Sequence, residues 1–337
     1  MIDFFNSNQV LVQATLSGLI LALSIQVPLR MGVFSFAGAG SYGLGGYAAA
    51  LLIIHLDLNA YEAVGLAIVI CAFVGLLLGL VISRLHGLYL AMATVAFDLI
   101  IGVVAINGGT FTGESTGLFG VIVDFTTTEM FVLTLVALVL VALSERGKVG
   151  RRVEAVRDDQ QLAASAGVNV RRYRLMAFVV GGALGGLAGA MNVLVRTTIG
   201  PLDIGFGLIV LALTMIIVGG AMSWKGAVLG AIIFTWLPHF LDFIGQWQTL
   251  VYGIIVALAA IFLPRGIHGV IVDVIRWVQR RRRGTLDRPA SDPSGDAEPE
   301  QLLPPSSSEP SSEPPGAPQQ PLRGGVARSL LARGAKS

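Results

Sequence analysis

Asp98 is the residue whose type and position suggest chemistry, because it is a carboxylate near the middle of an apolar run, LYLAMATVAFDLI. A charged side chain at the centre of a bilayer costs at least about 2.5–3.5 kcal/mol, so such a residue is expected to face a cavity or a partner. Two interpretations remain open. In the functional interpretation Asp98 lines the route of a polar substrate, with Ser41 and Thr94 as further candidates. In the structural interpretation it is a satisfied structural residue, or it lies closer to the outer surface than the middle of the span.

The stretch from Glu145 to Arg174 is dense in charge and lies between apolar runs, the second of which is Leu175–Val195. In hydrocarbon each unpaired polar group costs several kcal/mol, so this stretch must lie in water. Its excess of arginine predicts the cytoplasmic side. Residues 153–166 contain no Gly or Pro and predict one short helix, which Gly167 is expected to end in the left-handed conformation.

Motifs for catalysis and for metal or cofactor binding are missing from the sequence. There is no G-x-x-x-x-G-K-[ST] phosphate loop, no cluster of His, Cys and acidic residues, and no nucleophile–base arrangement. The G-x-G-x-x-G match at 38–43 lies inside an apolar run without a βαβ unit, so close helix packing explains it better. We therefore expect no catalytic residue, no cofactor and no metal. The single Cys71 excludes a disulfide framework.

The segment GGALGGLAGA at 181–190 carries glycines at every fourth position, Gly181, Gly185 and Gly189. This spacing places them on one helix face, where the lack of side chains lets a neighbouring helix approach closely. Pure packing is the simpler interpretation. The functional alternative is that this face slides against its partner during transport.

Composition predicts an all-α, polytopic membrane protein. Of 337 residues 54% are hydrophobic and 13% charged, with a mean hydropathy of +0.75, whereas soluble domains carry roughly 25% charged residues. Apolar runs long enough to cross a bilayer recur along the chain. They predict about nine spans, at 9–29, 33–55, 61–83, 87–106, 128–145, 175–195, 203–222, 226–242 and 247–264.

The connections between these spans sort by charge. One side carries the basic clusters, including the mixed-charge loop at 145–174, and the other side is acidic, with Arg196 as its one basic residue. The positive-inside rule then predicts an external N-terminus and a cytoplasmic C-terminus. Residues 1–266 would form the permease domain. Residues 267–283 predict a basic amphipathic helix on the inner membrane surface, or alternatively a simple stop-transfer anchor. Residues 284–337 predict a disordered cytoplasmic tail.

Two short stretches suggest an internal repeat. Gly32-x-x-Ser35-Phe36-x-Gly38-Ala39 is similar to Gly220-x-x-Ser223-Trp224-x-Gly226-Ala227. Each follows one predicted span and precedes a Gly-rich one, as in transporters built from repeats. Small residues are frequent in both stretches, so chance similarity remains open.

Five stretches in one order resemble the membrane permease subunits of bacterial ABC importers of the branched-chain amino acid family, LivM type. The resemblance covers roughly residues 10–265. Four of the stretches are FSFAGAGSYGLGGYAAALL at 34–52, GLYLAMATVAF at 87–97, TGESTGLFG at 112–120 and IIVGGAMSWKGAVLGA at 216–231. The fifth is a cytoplasmic loop pattern, A-x-R-x-D-x-x-A-x-x-x-G-x-N, which fits Ala155 to Asn169 within a residue of slack. Asp98 departs from the family, in which a longer or uncharged polar residue is expected.

The resemblance implies a multi-pass protein of the bacterial cytoplasmic membrane that imports branched-chain or other amino acids. Its implied partners are a second, LivH-like permease, two ATP-hydrolysing subunits, an extracytoplasmic solute-binding protein and membrane lipid, with no nucleic acid. It also implies that the loop docks on an ATPase subunit through Arg157, Asp158, Asp159, Ala163, Ala164, Gly167 and Asn169. Urea, short amides or sugars are alternative substrates. A secondary transporter is the alternative from another class.

Overall fold

The computed structural model describes residues 8–82, 84–262, 266–267 and 269, which all belong to one compact unit. Helices dominate it. We number them α1 Gln9–Arg30, α2 Ala37–Leu56, α3 Ala60–Ile82, α4 Gly87–Asn107, α5 Thr127–Ser144, α6 Gly147–Asp158, α7 Gln160–Ser165, α8 Val170–Arg196, α9 Phe206–Gly219, α10 Trp224–Leu241 and α11 Gln248–Phe262. Three 3-10 turns, at Gly109–Phe111, Pro201–Asp203 and Asp242–Trp247, complete the helical elements. Two short strands, β1 Leu118–Phe119 and β2 Thr198–Ile199, pair antiparallel.

Within the described part of the chain, eight helical segments are long and apolar enough to cross a membrane, and they correspond to the first eight predicted spans. The all-α, polytopic fold class is therefore confirmed. The ninth predicted span, 247–264, corresponds to α11, of which 15 residues are described, so the exact number of spans stays a prediction. The predicted tail, and nearly all of the predicted amphipathic helix, lie outside the described residues.

Helix α8 lies at the centre of the bundle and packs against α1, α2 and α3. Its glycines make this contact close. A Cβ on Gly182 would lie 2.6 Å from the carbonyl oxygen of Cys71 in α3, and one on Gly181 would lie 2.9 Å from the carbonyl oxygen of Ser24 in α1. Because these positions have no side chain, the backbones approach directly, which is how membrane helices gain packing energy without a hydrophobic driving force.

The outer helices α3, α4 and α5 expose broad apolar faces. Val69 is 63% exposed, Leu88 72% and Leu140 63%. Water-soluble monomers rarely show contiguous apolar patches larger than a few hundred Å², so these faces are the surfaces that lipid tails cover.

The connections between the helices lie in two groups, one at each end of the bundle. At one end, which contains α6 and α7 and which we call the loop end, Arg30 at the end of α1 contacts Glu145, Arg157 of α6 contacts the turn after α9, and Arg174 near the start of α8 contacts the α3–α4 turn. At the other end β1 pairs with β2, and the hydroxyl of Tyr61 donates to Glu129 at 2.6 Å. The basic connections of the sequence therefore meet at the loop end.

The two similar stretches share two local features, a glycine with positive φ and a serine that accepts a backbone hydrogen bond. Gly32 and Gly220 both have positive φ, at 73° and 126°, a region that glycine enters without steric cost. Three residues later, Ser35 accepts a hydrogen bond from the backbone N–H of Ala37 at 3.3 Å, and Ser223 accepts one from Lys225 at 3.4 Å. The glycine and the serine thus recur in both stretches, but the helices begin at different points, α2 after Phe36 and α10 after Ser223. The repeat therefore stays a prediction.

Candidate functional site: the charged loop and the buried polar residues

Helix α6 is held against the ends of two membrane helices. Val153 and Val156 are buried, at 4% and 0% exposure. The Cα atom of Arg157 lies 3.2 Å from the position a Cβ would take on Gly32, after α1. The guanidinium of Arg157 lies 3.3 Å from the sulfur of Met222, after α9. Arg157 therefore contacts the glycine-containing turns of both similar stretches.

Glu145 joins three helices at the start of this loop. One of its oxygens, Oε1, lies 2.9 Å from the guanidinium of Arg30 at the end of α1. The same oxygen accepts a hydrogen bond from the backbone N–H of Trp224, the first residue of α10, at 3.0 Å. This cluster was not predicted from the sequence. Its only sequence signal is that opposite charges end two spans, α1 and α5.

The prediction of a single helix over 153–166 is wrong, because the helix is interrupted at Asp159. Asp159 has extended dihedral angles, φ −152° and ψ 110°, and separates α6 from α7. Its carboxylate accepts hydrogen bonds from the backbone N–H groups of Gln161 and Leu162, at 2.8 and 3.0 Å. A short acceptor side chain competes in this way with continued helix and starts a new one.

Gly167 ends α7 in the left-handed conformation, with φ +82°, which confirms that prediction. The N–H of Val168 donates to the carbonyl of Ala163 at 3.0 Å, and the N–H of Gly167 donates to that of Ala164 at 3.0 Å. This pair of bonds is the glycine-dependent Schellman end of a helix. Asn169 then starts α8 by accepting a hydrogen bond from the N–H of Arg172 at 3.1 Å.

The other loop candidates differ in their access to a partner. Asp158 is exposed and pairs with Arg157 at 2.9 Å. Ala164 is also exposed, whereas Ala163 is only 3% exposed because this chain itself covers it. Leu162, which the sequence analysis passed over, is 68% exposed. The sequence around it, QQLAAS, does not distinguish an exposed leucine from one that packs inward.

The three candidate translocation residues are all buried, at 0–1% exposure. Thr94 accepts a hydrogen bond from the N–H of Phe36, at the start of α2, at 3.0 Å. Asp98 lies one turn further along α4, and its Cα is 3.1 Å from where a Cβ on Gly40 would be. Thr94 and Asp98 thus share the α4 face that packs on α2. Ser41 instead faces α8, where a Cβ on Gly185 would lie 2.8 Å from its Cβ.

No interaction with the other described residues accounts for the burial of the Asp98 carboxylate. Neither carboxylate oxygen has a hydrogen-bond partner there, although the side chain is fully buried. Native structures rarely leave a buried polar group unpaired, and the exceptions point to function or to bound water or ions.

The predicted packing glycines lie at the α8 interface with α1 and α2. Gly181 faces Ser24 and Pro28 of α1, Gly185 faces Gly38 and Ser41 of α2, and Gly189 faces Tyr42 and Gly46 of α2.

Comparison with known proteins decides the family. A family model described as the permease component of branched-chain amino acid transport systems matches residues 8–260. The chain belongs to this family. Permease protein LivM of the high-affinity branched-chain amino acid transport system of Escherichia coli K12 is 28% identical, over 75% of this chain and 68% of the relative. The corresponding BraD protein of Pseudomonas aeruginosa is 29% identical, over 48% of this chain and 53% of the relative.

More distant relatives include the ribose import permease protein RbsC of Escherichia coli K12, 22% identical over 77% of this chain and 86% of the relative. No solved structure matched the chain significantly. The family and the apolar helices together make the protein a multi-pass ABC permease of the inner membrane.

Proposed function

We propose that this permease is the membrane-spanning subunit of an importer for branched-chain or other amino acids, driven by ATP hydrolysis on separate subunits. Its partners would be a second, LivH-like permease, two ATPase subunits and an extracytoplasmic solute-binding protein. The family match and the names of the relatives support the substrate class. In this arrangement the chain carries no catalytic residue of its own.

The observation that carries the proposal is the placement of the loop. Helix α6 turns its buried face towards the ends of α1 and α9, while α7 presents the exposed Leu162 outwards. A partner that binds α7 would therefore transmit its movement through α6 to the turns before α2 and α10. This gives nucleotide-driven closure of the ATPases a short mechanical route to the membrane helices.

The first prediction tests this docking role. Leu162→Glu places a charge on the exposed face of α7 without removing a contact inside the chain, so it should weaken ATPase binding while insertion persists. Gly167→Val should act similarly. A Cβ there meets nothing within 4 Å, but φ +82° resists a β-branched residue and the turn would change. The measurement is the amount of both ATPase subunits that co-purifies with each variant, with uptake measured in parallel.

Val149→Glu is the matched control. Val149 is 49% exposed in the first turn of α6, so this change also replaces an exposed apolar residue by glutamate in the same loop. It should leave ATPase recovery unchanged. Recovery at the wild-type level with both Leu162→Glu and Gly167→Val would show that the loop is not the docking element.

Asp98 provides the specific observation that favours a second candidate, a secondary transporter, because an unpaired buried carboxylate is the type of group that binds a coupling ion. The two functions differ in their energy source. Uptake by an ATP-driven importer is blocked by vanadate and persists when the proton gradient is collapsed. Uptake by an ion-coupled transporter persists in vanadate and stops when the gradient of its coupling ion is collapsed. Sugar, urea and short amides remain substrate alternatives within the first function, and the ribose permease relative favours sugar among them.

A further inference from the structure

A basic cavity opens beside the start of α8, at the loop end of the bundle. Its volume is about 550 Å³, and its lining includes Arg84, His86, Arg171 and Arg174 together with the amide side chains of Gln160 and Gln161. None of the described residues that line it is acidic. The cavity therefore concentrates positive charge in a concave site, where the field of several arginines adds up.

Arg174 forms a fixed part of this cavity. It is only 7% exposed. Its guanidinium donates to the carbonyl oxygen of Leu85 at 2.5 Å and lies 2.8 Å from Nε2 of His86. Both contacts hold the side chain in place, but neither supplies a negative charge.

No described carboxylate forms an ion pair with Arg84, Arg171 or Arg174, and Nε of Arg174 has no described hydrogen-bond partner. A buried cation without a counter-charge is strongly destabilising. An anion from outside the chain would supply the missing charge.

The surroundings of the cavity indicate where that anion comes from. Leu80 of α3 lines the cavity and is 45% exposed, and next to it Val81 is 78% exposed. Across the α3–α4 turn, Leu88 and Tyr89 are 72% and 75% exposed. These side chains belong to the lipid-facing belt, and exposed tyrosine is typical of the headgroup level. The basic cavity thus lies at the boundary between that belt and water.

We propose that this cavity binds the phosphate group of an anionic phospholipid, in the leaflet that faces the charged loop. Arginine binds phosphate through two parallel N–H donors, and anionic lipids are attracted to basic pockets between membrane helices. The acyl chains would lie along the exposed surface of α3 and α4. Because Gln160 and Gln161 belong to α7, the lipid would also contact the loop at its proposed ATPase-docking helix.

The experiment compares the full-length purified permease in nanodiscs of phosphatidylcholine with and without phosphatidylglycerol. Phosphatidylglycerol should raise the wild-type melting temperature, and native mass spectrometry should show retained phosphatidylglycerol. Arg84→Gln and Arg171→Gln should each reduce this rise in melting temperature, and the double variant should lose most of it. Both side chains are exposed, so these variants should fold, whereas Arg174→Gln also removes the hydrogen bond to Leu85.

Arg172→Gln is the matched control, since it removes the same charge from an exposed arginine that does not line the cavity. The Arg172→Gln variant should keep the full rise in melting temperature that phosphatidylglycerol causes in the wild type. The basic run at 280–283 is present in every variant, so its attraction to lipid cancels in the comparison.

The proposal would be overturned if Arg171→Gln and Arg172→Gln reduced the lipid-dependent rise in melting temperature equally. That result would show that the lipid responds to overall positive charge and not to this cavity. Equal stability in the two lipids would also overturn it. A third arm adds inorganic phosphate to the phosphatidylcholine nanodiscs. If phosphate alone reproduced the shift, the lipid would be excluded as the source of the anion.

Discussion

At the scale of single residues, Asp98 and Thr94 show how differently two buried polar side chains one turn apart are placed. Thr94 accepts the N–H of Phe36 and donates to the carbonyl of Ala91 at 2.8 Å, so its polarity serves the packing of α4 on α2. Asp98 receives no hydrogen bond from the described residues. The contrast assigns Thr94 a structural role and leaves Asp98 as the candidate for contact with a transported solute.

The second prediction concerns Asp98→Asn, which keeps the shape of the side chain and removes its charge. We expect the variant to accumulate normally and to match or exceed the wild type in thermal stability, because no described bond depends on the carboxylate. Uptake by the complete transporter should fall several-fold or change in selectivity. The measurements are protein level, melting temperature and uptake of labelled amino acids.

Thr94→Val is the control for this prediction, since it should destabilise the protein by leaving the N–H of Phe36 unpaired, at a cost of about 1–3 kcal/mol. If Asp98→Asn instead fails to accumulate while Thr94→Val is tolerated, Asp98 is structural and the route of the solute lies elsewhere.

At the scale of elements, α8 is organised by its two glycine faces. Gly181, Gly185 and Gly189 contact α1 and α2, while Gly182 and Gly186 contact α3. One helix can approach three neighbours this closely only because five positions lack a side chain. This arrangement accounts for the glycine spacing through packing alone and does not require sliding during transport.

The third prediction is that Gly185→Ala destabilises the protein. The added Cβ would overlap the carbonyl oxygen of Gly38 and lie 2.8 Å from the Cβ of Ser41, so α2 and α8 would have to separate. Overpacking of this kind typically costs about 1–3 kcal/mol. The measurement is the melting temperature of the purified protein.

Gly102→Ala is the matched control on α4, where an added Cβ meets nothing within 4 Å. It should be neutral or slightly stabilising, because alanine is the better helix former by up to about 1 kcal/mol. Equal melting temperatures for the two variants would contradict the close-packing role of Gly185.

At the scale of the whole molecule, the two ends carry opposite charge. The loop end contains the arginines of α6, of the start of α8 and of the α3–α4 turn, whereas a cavity of about 610 Å³ at the other end is lined by Asp57, Glu62 and Asp124 among others. The positive-inside rule orients such a bundle with its basic end in the cytoplasm. The same orientation would present the acidic end to an extracytoplasmic binding protein.

The fourth prediction tests this orientation in intact cells. Single cysteines at Asn59 and Ser115, both exposed at the acidic end, should react with a membrane-impermeant thiol reagent. A cysteine at Ser165, exposed in α7, should react only after the membrane is opened. The native Cys71 is buried and serves as the internal control. Labelling of Ser165→Cys from outside would overturn the orientation.

The membrane class of the protein and the positions of its first eight spans follow from the amino-acid pattern alone. Long apolar runs can only become helices in a bilayer, since backbone polar groups must be paired within the segment. The first eight predicted spans therefore match the observed ones closely. Gly167 was predictable for a similar local reason, because its conformation depends on the absence of a Cβ rather than on distant contacts.

Which side chains contact one another depends on the folded helix bundle. The contact of Glu145 with Arg30 and Trp224, the outward position of Leu162 and the inward position of Ala163 depend on how distant helices pack, which periodicity within one segment does not encode. The break at Asp159 was missed because Asp is compatible both with a helix interior and with a helix start, and the choice depends on where its side chain bonds. The basic cavity likewise combines α3, the α3–α4 turn, α7 and α8, whose arginines are far apart in sequence and adjacent only after the bundle has formed.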